Sequence, residues 1–205
     1  MPLTSIEGTR AVQLAREILD AYVAKEDSTE DQRLPAVFSE KRGVFVTLNL
    51  LERGSKSLRG CIGYPGPIKP LADAIRDVTV YASEDPRFPF PVLPEELGRL
   101  VVEVSVLTPP SELAAATREE LPSRVRLGVD GLIVSTEDTS GLFLPQVATE
   151  QGWDQKTFIS EACRKAGLPP DAWLDGATRV EVFQAEVFGE VTPRGKVARM
   201  DPGAP

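Results

Sequence analysis

Two stretches of this chain read as strand, turn, strand, and that pattern restricts its fold more than anything else. Gly43-Val44-Phe45-Val46-Thr47-Leu48-Asn49-Leu50-Leu51 has strand character, Glu52-Arg53-Gly54-Ser55 supplies turn residues, and Leu58 to Gly63 is the returning strand. Gly131 to Thr136 and Leu142 to Leu144 repeat the arrangement around Glu137-Asp138-Thr139-Ser140-Gly141. Leu100 to Leu107 is a further strand, closed by Pro109-Pro110, and Val180 to Val187 reads as a last one. Helical periodicity lies between them. Val12, Ala15, Leu19 and Val23 share a stripe within Ile6 to Ala24, with Thr4 and Glu7 as its capping box. Leu71, Ile75, Val78 and Ala82 mark a helix ending near Glu84, Leu113 to Arg124 is partly helical, and Asp154 caps a helix to Ala166 that Gly167 stops. Hairpins interrupted by helices predict an α+β fold with a mainly antiparallel sheet, in preference to a doubly wound parallel one. Residues 25–33 are polar and expected to form a mobile loop, residues 1–191 a single domain, and residues 192–205 a flexible tail.

Composition removes much of the common enzyme repertoire. The 205 residues include no histidine, which excludes Ser-His-Asp and Cys-His machinery and imidazole metal sites. Cys61 and Cys163 are too far apart for a CxxC pair or a zinc-finger spacing. No P-loop or GxGxxG motif is present, and no carboxylate cluster has ligand spacing, so no metal or cofactor is expected on this chain. A net charge of −8 without a dense basic tract opposes nucleic-acid binding. With no run approaching the ~20 apolar residues of a membrane span and no basic-then-apolar N-terminus, the expectation is a soluble, cytoplasmic chain.

Chemistry concentrates in Leu58-Arg59-Gly60-Cys61-Ile62-Gly63. In an extended chain a period of two puts Arg59, Cys61 and Gly63 on one face and Leu58, Gly60 and Ile62 on the other. A guanidinium beside a thiol favours the thiolate, and Gly60 and Gly63 leave room for a substrate or another backbone. The alternative is that Cys61 is a small core hydrophobe and the glycines are packing or bulge positions. The same parity places Glu103 and Ser105 on one side of Leu100–Leu107, with Arg59 as the leading cation for Glu103, and Thr47 and Asn49 on one side of the first strand. If the three strands adjoin in register, one patch holds Thr47, Asn49, Arg59, Cys61, Glu103 and Ser105; the alternative is the solvated face of a half-buried sheet.

Asp85-Pro86-Arg87-Phe88-Pro89 offers a second acid–base pair on a stiff loop, either as the rim of a site or as a turn with Arg87 on the surface. Gln146 could bind a ligand or cap a neighbouring element. Trp153, Trp173 and Cys163 read as packing residues.

The hexapeptide resembles the signature of the AMMECR domain family. Val44-Phe45-Val46-Thr47-Leu48, Asp85-Pro86-Arg87-Phe88, Glu103-Val104-Ser105-Val106-Leu107-Thr108-Pro109, Leu144-Pro145-Gln146-Val147-Ala148 and Gly152-Trp153-Asp154 extend the resemblance across most of residues 6–191. Tyr81-Ala82-Ser83-Glu84 and Phe90 are local variants. The resemblance implies two unequal lobes with the hexapeptide near a cleft between them. It also implies a setting beside Memo-type proteins, which resemble extradiol dioxygenases, and radical S-adenosylmethionine proteins, in the AmmeMemoRadiSam system. The family has no settled biochemical function. The expectation is a small-molecule enzyme or accessory subunit with Cys61 as nucleophile, Arg59 as its electrostatic partner and Glu103 as acid or base. Thr47, Asn49, Gly60, Gly63, Ser105, Asp85, Arg87 and Gln146 are the candidate substrate-binding residues, and any metal would sit on a partner. The rival expectation is a non-catalytic interaction module.

Overall fold

The computed structural model describes residues 2–26 and 33–200, which fall into one compact unit of residues 2–107 and 186–200 and another of residues 108–185. The first unit is built on helix α1 (Ser5–Ala24), strands β1 (Val44–Glu52) and β2 (Ser55–Tyr64), helix α2 (Leu71–Ser83) and strand β3 (Leu100–Leu107). Strand β4 (Ser111–Glu112), the short helix α3 (Leu121–Arg124), strands β5 (Gly131–Ser135) and β6 (Ser140–Phe143), helices α4 (Pro145–Gln151) and α5 (Gln155–Lys165) and strand β7 (Arg179–Phe183) form the second unit. Strands β8 (Ala185–Glu190) and β9 (Val197–Met200) return to the first. Five strands in the order β2-β1-β3-β8-β9 make one sheet and four in the order β4-β7-β5-β6 the other. The fold is α+β with antiparallel sheets, as the hairpin pattern predicts.

Local chemistry accounts for the elements that frame the first sheet. Thr4 Oγ1 accepts from the Glu7 N–H while the Glu7 carboxylate accepts from the Thr4 N–H, so two otherwise orphaned donors at the start of α1 are satisfied. Arg53 and Gly54, with φ of 50° and 82°, form the two-residue turn of the β1–β2 hairpin, whose left-handed backbone matches the twist of the strands it joins. Val44, Val46 and Leu48 of β1 and Val102, Val104 and Val106 of β3 point to one face, where they bury against Leu19 of α1 and Ile75 and Val78 of α2. Two helices cover that face. Arg16 of α1 reaches Glu190 of β8 in a buried ion pair that also accepts the Val102 N–H, so the helix is tied to two strands by charge-assisted bonds as well as by apolar packing.

The second unit has its own core of Leu132, Val134, Phe158, Ile159 and Trp173, with Phe143, Trp153 and Phe158 in mutual aromatic contact. Asp154 caps α5 through the Thr157 N–H, and Cys163 is fully buried on the apolar side of that helix, as expected.

Two expectations are corrected. The strand expected over Val180 to Val187 is two strands in two sheets, broken at Gln184, whose carbonyl accepts from the Thr108 N–H and whose own N–H bonds the Thr108 hydroxyl. Periodicity runs through such a break because both halves alternate. The tail expected to be loose from Thr192 instead closes through a turn with Arg194 at φ 54° into β9, which pairs with β8 from Val187↔Met200 to Glu190↔Val197. Its few apolar residues suffice because the strand is an edge. Leu113 to Arg124 is partly helical, as expected, with a 3-10 turn over Arg118–Glu120 leading into α3. The expected mobile loop over residues 25–33 lies largely outside the described residues.

Candidate functional site

Strand β1 lies between β2 and β3, so the three strands that carry the candidate residues do adjoin. Thr47 is opposite Cys61 on one side and Glu103 on the other. The thiol, hydroxyl and carboxyl thus form one row across the sheet, on the face away from α1 and α2. Ser105 lies in the next row, opposite Phe45, and Asn49 in the row beyond Thr47, opposite Leu58 and Val101.

The hydrogen-bond parity of the hairpin explains why the thiol and hydroxyl touch. β2 is an edge strand, and at Cys61 its free backbone groups are taken by side chains. The Cys61 N–H donates to Asp85 Oδ2 at 2.9 Å, and Arg87 Nη2 donates to the Cys61 carbonyl at 2.9 Å. Cys61 and Thr47 therefore face each other as a non-hydrogen-bonded pair, the kind whose side chains come closest. Thr47 Oγ1 lies 3.2 Å from Cys61 Sγ and donates to it. Asp85 and Arg87 stand in for a missing neighbouring strand and close an edge that would otherwise be open to pairing. The Asp85 side chain is fully buried, and it also accepts from the Arg87 backbone N–H at 3.0 Å. Hydrogen bonds from the Arg87 guanidinium, with those from the two backbone N–H groups, outweigh burial and hold the Asp85 carboxyl well below the ordinary carboxylate range. These two residues position the strand; their described contacts are with backbone and with each other.

Glu103 has the opposite environment. Burial pushes its carboxyl above the ordinary value, and the Lys56 ammonium, 4.0 Å away, only partly opposes this. Gly189 on β8 gives the side chain its place, since a Cβ there would lie 3.3 Å from Glu103 Cγ.

Arg59 is where parity fails. The register slips between Leu48 and Asn49, so that Leu48 faces Gly60 and Asn49 faces Leu58, and Arg59 is the extra residue of a β-bulge. Its guanidinium turns to Glu96, at 2.8 and 3.0 Å, and to the Phe90 and Pro91 carbonyls, and lies 5.4 Å from the centre of the Phe88 ring. The expected Arg59–Glu103 pair is replaced by Arg59–Glu96 and Lys56–Glu103, and Arg59 acts on the loop after α2. Glu96 is itself held by the Leu93 N–H in a tight turn. Burial raises its carboxyl, but the Arg59 bonds and this N–H bring it below the ordinary value.

The glycines are not substrate gaps. A Cβ on Gly60 would lie 2.0 Å from the Ala82 carbonyl oxygen, so another backbone fills that space, and the Phe45 ring covers Gly63. Gln146 belongs to the second unit and is exposed in the first turn of α4. Glu96, Lys56 and Gly189 were absent from the sequence-based set, because nothing in their local pattern marks a partner 37 or more positions away.

Comparison with known proteins matches residues 12–188 to the AMMECR1 family model. The chain belongs to that family. A relative from Methanothermobacter thermautotrophicus is 50% identical over 191 residues, covering 92% of this chain and 97% of the relative. Another, from Thermofilum pendens, is 47% identical over 203 residues, covering 95% of each. The crystal structure of the uncharacterized protein PH0010 from Pyrococcus horikoshii superposes with a TM-score of 0.74 at 47% identity, over 97% of this chain and 98% of that one. Among the described residues of this AMMECR1-family protein, no helix is long and apolar enough to cross a membrane, and no group of three or more acidic or thiol side chains could hold a metal ion.

The two thiols of the AMMECR1-family chain should separate cleanly in reactivity. Cys163 is fully buried and its thiol is pushed up by burial, whereas Cys61 is half-buried. Iodoacetamide should modify Cys61 in the native protein and Cys163 at least about a hundredfold more slowly, the factor for an opening that costs ~3 kcal/mol. Peptide mass spectrometry after timed quenching reads both rates; equal rates would contradict the burial of α5.

Proposed function

We propose that this AMMECR1-family protein acts on small molecules at the face of its five-stranded sheet that carries Cys61, as an enzyme or as an accessory subunit of Memo-type and radical S-adenosylmethionine proteins. The observation that supports this reading is the row Cys61, Thr47, Glu103 across three adjacent strands. Cys61 is the nucleophile, Thr47 holds its sulfur, and Glu103 is the acid, kept protonated to higher pH by burial. In addition to an activated carbonyl compound, the sulfur–carbon bond forms and the double-bond electron pair passes to the carbonyl oxygen. That oxygen takes a proton from Glu103, and water returns the thiol proton to Glu103. Asp85 and Arg87 keep the backbone of Cys61 in place, and Arg59 ties down the loop that carries them.

Acrylamide, an electron-poor alkene, tests the row. Its addition to Cys61 should slow by about tenfold to a hundredfold in Glu103→Gln and by a smaller factor in Thr47→Val, with Cys163 in the unfolded chain as the reference thiol. Because Glu103 is an acid raised by burial, its ionisation costs folding free energy that grows as pH rises through its ordinary and then its folded value. Glu103→Gln should therefore be at least as stable as the wild type at pH 7, so a slower rate cannot be ascribed to unfolding. Unchanged rates in both variants would leave the row as a polar sheet surface and favour a non-catalytic interaction module.

A further inference from the structure

A separate pocket of about 340 Å³ opens between the C-terminal halves of α1 and α2, on the helical side of the first unit. Its volume falls in the range of small-molecule sites. Ile18 and Val80 give it apolar walls, Tyr22 and Tyr81 line it with rings that are 42% and 48% exposed, and Glu26 and Asp77 bring carboxylates. The electrostatics are one-sided. Arg76, which also lines the pocket, is engaged by Asp73 at 3.0 Å, and Lys69 is engaged by Asp77. No described cation pairs with Glu26, and Glu84 adds a further carboxylate through its 2.5 Å bond to the Tyr22 hydroxyl. Lys25 caps the C-terminus of α1, whereas α2 has no basic residue in its last turn, so the negative end of the α2 dipole adds to the carboxylates.

We propose that this pocket binds a small organic cation of the alkylammonium class. The protein already holds such a group beside it. The Lys69 ammonium is bonded to Asp77 and lies 5.7 Å from the centre of the Tyr64 ring, whose hydroxyl donates to the same carboxylate at 3.1 Å. Carboxylate plus aromatic ring is the combination that recognises an ammonium group, and the pocket presents it again with Tyr22, Tyr81 and Glu26 around an empty volume. An anion would meet the Glu26 carboxylate and the negative end of α2.

Backbone amide NMR titration of the whole protein at low salt, with n-butylammonium as probe and butyrate and 1-butanol as controls, tests the assignment. Butylammonium should give saturable shifts confined to the C-terminal halves of α1 and α2, with Kd of about 1 mM. Tyr81→Leu, which keeps apolar bulk, and Glu26→Gln should each weaken it by about three- to tenfold. Both side chains are exposed, so the fold tolerates the changes. Equal shifts with 1-butanol would reduce the site to an apolar crevice, and an affinity unchanged in Tyr81→Leu and Glu26→Gln would reduce it to diffuse surface charge; either overturns the proposal. Neither result bears on the Cys61 row, which lies on the other face of the sheet.

Discussion

Gly60→Ala is expected to be among the most damaging single-methyl additions in this protein, lowering stability by about 3 kcal/mol or more. A Cβ at that position would sit 2.0 Å from the Ala82 carbonyl oxygen and 3.1 Å from its carbon, and both belong to the last turn of α2. No rotamer change can relieve the contact, because the obstructing atoms are backbone. Either the end of α2 or the middle of β2 must move, and Val78, Ala82 and Ile75 are fully buried against the sheet. For a chain of this size the thermal midpoint should drop by about 6–12 °C. Scanning calorimetry checks it, with Gly54→Ala as a contrast in which the strain is that of a positive φ of 82° and no atom lies within 4 Å. A Gly60→Ala protein as stable as the wild type would mean that α2 does not press on β2.

Asp85→Ala should be the second large effect, at about 2–3 kcal/mol near pH 7, and its pH dependence identifies the cause. The variant leaves the Cys61 N–H without its acceptor in a buried place, which costs about 1–3 kcal/mol. The ion pair with Arg87 adds little, since that side chain is 55% exposed and water screens it. Asp85 is a carboxyl with a folded pKa held below its unfolded value, so its contribution is present in full above about pH 4 and is lost as pH falls through the lower folded value. Urea unfolding of wild type and variant should therefore differ most at neutral pH and converge in acid. A difference that stays constant into acid would assign the loss to packing and not to the carboxylate.

The contrast between Asp85 and Glu103 bears on what the site is for. Two carboxyls lie on either side of Cys61 and Thr47, one held ionised by hydrogen bonds and the other raised by burial. Asp85 is accounted for by the strand edge that it closes. Glu103 closes no strand edge and its burial carries a cost in stability; under the proposed function it is the acid of the row.

Much of this was legible before any coordinates. Strand β3 has the bounds Leu100–Leu107 expected from its composition, and α1 starts at the capping box that Thr4 and Glu7 announce. These features depend on neighbours within four residues, where side-chain chemistry and backbone geometry are coupled directly. Parity along three strands also placed Thr47, Cys61 and Glu103 on one face each. It could not place Arg59, because a bulge is a single extra residue that flips the alternation without a composition of its own. Nor could it show that Asp85 replaces a strand, since at β2 that depends on which edge stays unpaired.

By itself, then, the sequence determined which segments alternate with a period of two, which follow a helical period, and which chemistry is missing for want of a single histidine. Tertiary structure decided the rest: that β1 lies between β2 and β3, that β7 and β8 part company at Gln184, and that Arg59 answers Glu96 and leaves Glu103 to Lys56. The physical reason is one of range. Periodicity and capping are set by atoms a few bonds apart, whereas strand order, register slips and ion partners are chosen by the packing of segments tens of residues distant, where burial and hydrogen-bond satisfaction of the whole unit select among local alternatives.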